Sequence, residues 1–431
     1  MRKLGLLFPG QGSQYIGMGK ELYDRYSSIQ RLYEEAGDIL DFDLRKLMFE
    51  GSLQELTRTE NAQPALLTAS VAAYQVYQEE IDVNPAYAAG HSLGEFSALV
   101  CAGVLTFSDA LKLVRQRGLF MQEAAAEGTG AMCAIIGIHR ERVEEECRRA
   151  SPFDPQGISE QKVVVSNYNS PEQIVISGER EAVQCAASSL EEQGARISFL
   201  QVSAPFHSPL MHPAAVRFEK ELASYTFHPF RWPVISNVTG LPYDQPKEVA
   251  SLLAKQLISP VRWVQSIQFL AQKGISLAVE LGSKNVLTNL MASNTKSMVC
   301  LPLEQSQQYL LAQEEMAAEM KEQERKRNVF NVVTQCLTAA VSTRNRNWND
   351  AEYTQGVIEP YRRIQSIQAQ LDLETRLPLE EEMKEALHLL VQIFKTKHVP
   401  DLEQRERIHN ILQLSGTAAL FADELLALQL A

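Results

Sequence analysis

Through about residue 300, short apolar or β-branched runs alternate with longer stretches of helical spacing, and that alternation admits few folds. Strands joined through a helix lie parallel, and a parallel sheet must be covered on both faces, so its strands read as near-continuous apolar runs. "KLGLLFPG" (3–10) is such a run, ending at a Pro-Gly turn. The stretch from Gln63 to Tyr77 reads as a helix with Pro64 tolerated in its first turn. "AYAAG" (86–90) is a short buried strand, "LGEFSALVCAG" the helix after it, and "FSDALKLVRQRGLFMQEAA" another helix. The reading is an α/β domain.

The texture changes between Gly128 and Ser203. Strand "AMCAIIGI", helix "RERVEEECRRA", strands "KVVVSNYN" and "QIVISG", a helix from Arg180 to Gly194 and strand "RISFLQV" follow in the split βαβ order of a ferredoxin-like unit. It reads as an insertion, because α/β sequence resumes with "PVISNVTG" and "LAVELG". From about Gln305 only Gly356 and Gly416 occur, β-branched runs nearly vanish, and three segments show helical spacing: "AQEEMAAEMKEQERKR", "PLEEEMKEALHLLVQIFKTK" and "DLEQRERIHNILQLSGTAALFADELLALQ". Pro378 opens the middle one. The expected layout is a hydrolase-like large domain with a parallel sheet (1–127 and 204–304), an inserted ferredoxin-like small domain (128–203) and a helical C-terminal extension (305–431).

Bulk properties narrow the function. The apolar run "LGLLF" is too short for a signal h-region, and no segment approaches the roughly 20 apolar residues of a membrane span, so a cytoplasmic protein with no membrane partner is expected. Six scattered cysteines without a C-x-x-C pair suggest buried thiols, and the eight histidines show no metal spacing, so no metal is expected. A net charge of -12 argues against nucleic acid as a partner. The same charge opposes any anionic ligand, which would need a local basic patch; Arg115, Lys255 and Arg262 are candidates for it.

In "AAGHSLGEFSALV" (88–100), Gly90, Ser92 and Gly94 have the spacing G-x-S-x-G between a strand and a helix. A nucleophile elbow requires that context: glycines flank a sharp turn where side chains would collide, and the helix N-terminus offers N–H groups to an oxyanion. A serine capping the helix has the same signature. His207, in the Pro-flanked "VSAPFHSPLM", is the best base for Ser92, while His91 is read as structural. "FPGQGSQ" (8–14) lacks the third glycine of a dinucleotide fingerprint, where Tyr15 stands, and suits a loop bringing N–H groups near Ser92.

"FPGQGSQ", "NAQPAL", "GHSLGE", "RQRG", "NSPEQIVISG", "APFHS" and "PVRW" occur in this order, and over about residues 1–300 the sequence resembles the malonyl-CoA:acyl-carrier-protein transacylases. It is most similar to the stand-alone acyltransferases that serve bacterial polyketide or hybrid peptide–polyketide synthases. The resemblance implies Ser92 as the malonylated nucleophile, His207 as general base and acid, and the backbone N–H groups of Gln11 and Leu93 as the oxyanion hole. It implies Arg117 as the grip on the malonyl carboxylate, a role a planar guanidinium fills with two parallel hydrogen bonds. It also implies Gln256 as the donor of the carbonyl that orients the histidine, and Gln63 and Phe206 as pocket residues, the Phe206 ring occupying space an α-methyl group would need.

The implied reaction is ping-pong acyl transfer from malonyl-CoA to the phosphopantetheine thiol of an acyl carrier protein, with no permanently bound cofactor. Asn167 and Asn169 read as loop-fixing residues, and Ser283, where relatives have proline, loosens its turn. The extension, with its "STRNRNWNDAEYTQGV" (342–357), reads as a helical pack-on or a synthase-docking element. An editing acyl hydrolase, a free-standing esterase and a non-catalytic recruitment protein are the rival readings; a retained Arg117 speaks against the first.

Overall fold

The computed structural model describes residues 3–124, 130–151, 162–200, 202, 204–305, 307–309, 331–374, 376–418 and 420–421. They fall into two compact units, within Arg2–Glu314 and within Glu315–Ala431. The first unit holds strands β1 (Lys3–Phe8), β2 (Tyr87–Gly90), β3 (Gly130–Ile136), β4 (Val163–Ser170), β5 (Gln173–Glu179), β6 (Arg196–Phe199), β7 (Val234–Ile235), β8 (Ile275–Leu281) and β9 (Val299–Leu303).

β7-β2-β1-β8-β9 form a five-stranded sheet in which every pair is parallel, as the apolar runs predict. β1 lies at its centre, buried from Leu4 to Phe8 with only its first residue, Lys3, exposed. β4-β5-β3-β6 form a second, antiparallel sheet. Helices Arg140–Arg149 and Arg180–Glu192 supply its apolar cover through Val143, Val183 and Leu190. β4 is tied to the larger part by main-chain bonds between Tyr168 N–H and the Val261 carbonyl (2.9 Å) and between Val261 N–H and the Ser166 carbonyl (2.8 Å). The loops after β1, β2 and β8 all leave the same carboxyl edge of the parallel sheet, where open α/β sheets bind their ligands.

The helix expected from Gln63 starts instead at Thr59 and runs to Glu80, which puts Pro64 inside it rather than in the first turn. Proline there removes the N–H that would bond the Glu60 carbonyl and normally breaks a helix. Arg115 supplies the missing donor: its Nη1 lies 2.6 Å from the Glu60 carbonyl oxygen and 2.7 Å from Asn61 Oδ1. The same helix, Phe107–Ala124, approaches closely through Gly118, where a Cβ would stand 2.6 Å from Glu60 Cα. That approach brings Arg117 against Gln63.

The second unit packs helices Val332–Ser342, Glu359–Glu374, Glu380–Thr396 and Asp401–Ser415 around its own core, which includes Cys336, Ile364, Leu390, Phe394 and Ile411. Pro378 stands before the third helix rather than within its first turn. The last expected segment breaks at Gly416, whose φ of 70° closes the helix. "AQEEMAAEMKEQERKR" lies outside the described residues.

Arg115→Ala is expected to cost roughly 1–3 kcal/mol, the penalty of a buried carbonyl left unpaired. In a Pro64→Ala background, where residue 64 regains its N–H, the same change costs less. Urea denaturation of the four proteins checks this, and strict additivity would contradict it.

Candidate active site

Ser92 sits at the tip of the turn between β2 and the helix Gly94–Cys101, with a φ of 51°. The two glycines are there for space: a Cβ on Gly90 would fall 1.9 Å from the Gly94 carbonyl carbon, and one on Gly94 would fall 2.0 Å from the Phe8 carbonyl oxygen. Asn237 braces the strained turn, accepting from Ser92 N–H at 2.6 Å and donating through Nδ2 to the Gly90 carbonyl at 2.7 Å.

Ser92 Oγ lies 2.9 Å from His207 Nε2, and His207 Nδ1 lies 2.8 Å from the main-chain oxygen of Gln256. A carbonyl only accepts, so Nδ1 carries the proton and Nε2 is left to accept from the serine hydroxyl. Burial, with the nearby Arg117 charge adding to it, pulls His207 from the usual 6.5 down to about 3. The ring is therefore neutral near pH 7, the state a general base needs.

Arg117, from the middle of its helix, is 1% exposed. Its Nη1 donates to Gln63 Oε1 at 2.8 Å, and its Nη2 to Gln256 Oε1 at 2.9 Å and to Ser92 Oγ at 3.2 Å. The guanidinium carbon lies 5.6 Å from the Phe96 ring centroid. Burial lowers its pKa to about 10 while Glu95 opposes the shift, so the charge persists at neutral pH. Its Nε is buried with no hydrogen-bond partner among the described residues.

A cleft of about 660 Å³ opens onto Ser92 and His207, and Gln11, Leu93, Arg117 and Phe206 line it too. No hydrogen bond is formed by the backbone N–H of Gln11 or Leu93 among the described residues. Gln63 does not line this cleft: it is wholly buried behind Arg117, where its amide oxygen meets the guanidinium. Among the described residues no carboxylate lines the cleft, and the charged ones that do are Arg117 and Lys284, so this lining is locally cationic in a chain of net charge -12. Arg115, Lys255 and Arg262 do not line it; Arg115 is turned inward onto Glu60.

His91 lines the same cleft and pairs through Nε2 with Asn169 Oδ1 at 2.8 Å. Asn169 Nδ2 also reaches Gln173 Oε1 at 3.1 Å, and Ser166 Oγ donates to Asn167 Oδ1 at 2.7 Å. Ser283 is buried and its hydroxyl meets Met18 Sδ at 3.2 Å, so a contact replaces the stiffness of proline.

Sequence reasoning missed three residues under the elbow: Glu95, Asn237 and Tyr243. Glu95 accepts from Asn237 N–H (3.1 Å), Gln256 Nε2 (2.7 Å) and the Tyr243 hydroxyl. Burial pushes its carboxyl up to about 7 against those donors and Ser236. Glu95 ends the quoted "GHSLGE", but nothing local shows that a glutamate there faces inward. Among the described residues, no group of three or more His, Cys, Asp or Glu is placed to hold a metal ion. No described helix is long and apolar enough to cross a membrane.

Comparison with known proteins agrees with this geometry. Residues 6–346 match the acyl transferase domain family. A malonyl CoA-acyl carrier protein transacylase of Bacillus subtilis is 39% identical over 409 residues, covering 94% of this chain and 99% of that protein. The malonyl CoA-acyl carrier protein transacylase of Escherichia coli (strain K12) is 43% identical over 291 residues, 67% of this chain and 92% of its own length. Among solved structures, the holo complex of a type II PKS acyl-carrier protein with its malonyl-transacylase aligns with a TM-score of 0.69 and 38% identity, covering 73% of this chain and 99% of that one. A domain match over well more than half of the chain, and a relative 39% identical almost from end to end, make this chain a member of the acyl transferase domain family.

Proposed function

We propose that this chain is an acyl-carrier-protein S-malonyltransferase, taking malonate from coenzyme A and passing it to the phosphopantetheine thiol of a carrier protein. The observation that carries the reading is a fully buried guanidinium 3.2 Å from the elbow serine, in a cleft lined by no carboxylate among the described residues. A buried cation beside a nucleophile favours an acyl group that ends in an anion. The names of the relatives and the carrier-protein complex support the same chemistry.

In the first half-reaction Ser92 Oγ attacks the thioester carbonyl as His207 Nε2 takes its proton. The backbone N–H groups of Gln11 and Leu93 hold the developing oxyanion, and Arg117 holds the distal carboxylate. Collapse breaks the C–S bond, and the departing thiolate takes the proton back from His207. In the second half the carrier thiol gives its proton to His207, its sulfur attacks the malonyl-serine ester, and Ser92 leaves with that proton. Phe206 beside His207 narrows the room for an α-methyl group, a discrimination of about 1–3 kcal/mol. Gln63 acts by fixing Arg117 rather than by touching the substrate.

In this reading residues 1–127 with 204–304 carry the chemistry, 128–203 form the small domain, and 305–431 dock on a polyketide or hybrid peptide–polyketide synthase served in trans. The helical unit has a core of its own, and Trp348, 89% exposed, is an anchor of the type that dominates interfaces. A cytoplasmic site follows from the substrates, since coenzyme A thioesters and holo carrier proteins are made there.

With labelled malonyl-CoA and a holo acyl carrier protein, label is expected on the carrier, and a Ser92→Ala enzyme is expected to transfer none. Release of free malonate with the carrier unlabelled would replace transfer by hydrolysis. The low pKa of His207 adds a pH expectation: a base whose pKa is lowered stays neutral as the pH falls past 6.5. In a nitrogen NMR titration of the histidine rings, His207 is expected to remain neutral from pH 8 to about pH 5. A midpoint near 6.5 would contradict this.

A further inference from the structure

Gln256 carries two separable contacts. Its main-chain oxygen accepts from His207, while its side chain faces Arg117 on one side and Glu95 on the other. The side-chain amide has a polarity, and its neighbours read it. Oε1 accepts from Arg117 Nη2 at 2.9 Å, and Nε2 donates to Glu95 Oε2 at 2.7 Å and to the Ser92 carbonyl at 3.1 Å. Reversing the amide would set donor against donor at Arg117 and acceptor against acceptor at both other contacts. Glu95, held in turn by Tyr243 and Asn237 N–H, is the acceptor that enforces the orientation.

We infer that Glu95 is a positioning residue that acts through the Gln256 amide to hold Arg117 ready for a carboxylate-bearing acyl group. The inference rests on the malonyl reading above. Glu95 does not line the cleft, so it touches no substrate, and its effect must pass through Gln256. Gln63 holds the opposite end of the guanidinium at Nη1, so losing the Gln256 contact frees one end only. Selectivity for the anionic group is then expected to suffer more than acylation itself.

Glu95→Gln keeps the shape but leaves one acceptor oxygen where Gln256 Nε2, Asn237 N–H and the Tyr243 hydroxyl share two. Its NH₂ must face either the Gln256 and Asn237 donors or the Tyr243 hydroxyl, so the hold on the Gln256 amide weakens and Oε1 is no longer fixed on Arg117. In the full-length protein, the ratio of malonyl-CoA to acetyl-CoA kcat/KM for Ser92 acylation is expected to fall about tenfold, the scale of one charge-assisted hydrogen bond. The loss should lie mainly in malonyl-CoA KM, with acetyl-CoA acylation retained.

Gln256→Met keeps the carbonyl that orients His207 and removes only the amide, so it should lower the same ratio. Adding Glu95→Gln to Gln256→Met should change the ratio no further. An unchanged ratio in a folded Glu95→Gln enzyme, or a further fall in the double variant, would overturn the inference while leaving the malonyl reading intact. If Glu95→Gln does not fold, an unchanged ratio in Gln256→Met overturns it instead. A wild-type enzyme that shows no malonyl preference would overturn both.

Discussion

A guanidinium charge taken out of water is the constraint on which the rest of the site depends. Arg117 is stripped of solvent and must be met by protein on each side. Gln63 and Gln256 supply oxygens, the Phe96 ring lies within reach of the cation, and Glu95 offsets the charge through one intervening amide. These groups come from a long buried helix, the elbow helix and the segment before "PVRW", so meeting one cation fixes how those segments pack. The close approach of the helices at Gly118 is part of the same arrangement.

The second constraint is the elbow. Ser92 holds a left-handed backbone conformation that costs about 1–3 kcal/mol for a residue other than glycine. Asn237 braces the turn at two points, and the strain aims Oγ at His207 and Arg117 together. His207, also left-handed, is held by a carbonyl where a triad carboxylate would otherwise stand. That leaves the imidazole weakly basic beside a fixed positive charge. An arriving carboxylate would neutralise that charge and raise the basicity of the ring as the substrate binds.

Much of this was legible before the structure. The parallel sheet follows from apolar runs separated by helical spacing, and the inserted antiparallel sheet from its split element order. Ser92 and His207 stand out as candidates from their own surroundings, while Arg117 and the Gln256 carbonyl come only with the family that the short motifs in register resemble. The failures have particular causes. Pro64 reads as a helix start because proline is normally excluded from helix interiors, and the donor that serves the freed Glu60 carbonyl comes from Arg115, 55 residues on from Glu60. Glu95 meets Asn237 across 142 residues and Tyr243 across 148, separations that no local pattern records. The cationic cleft inside an acidic chain was hidden for the same reason: net charge sums the surface, while the cleft depends on which few side chains converge.

The central claim is that the buried Arg117 selects an acidic acyl group for Ser92, and its most direct test is single-turnover acylation. Rapid-quench rates with malonyl-CoA and acetyl-CoA, the ester located on Ser92 by peptide mapping, should show a strong malonyl preference in the wild-type enzyme. In Arg117→Ala the serine should still accept acetyl while the malonyl preference collapses toward unity. A variant that keeps the wild-type preference would contradict the account.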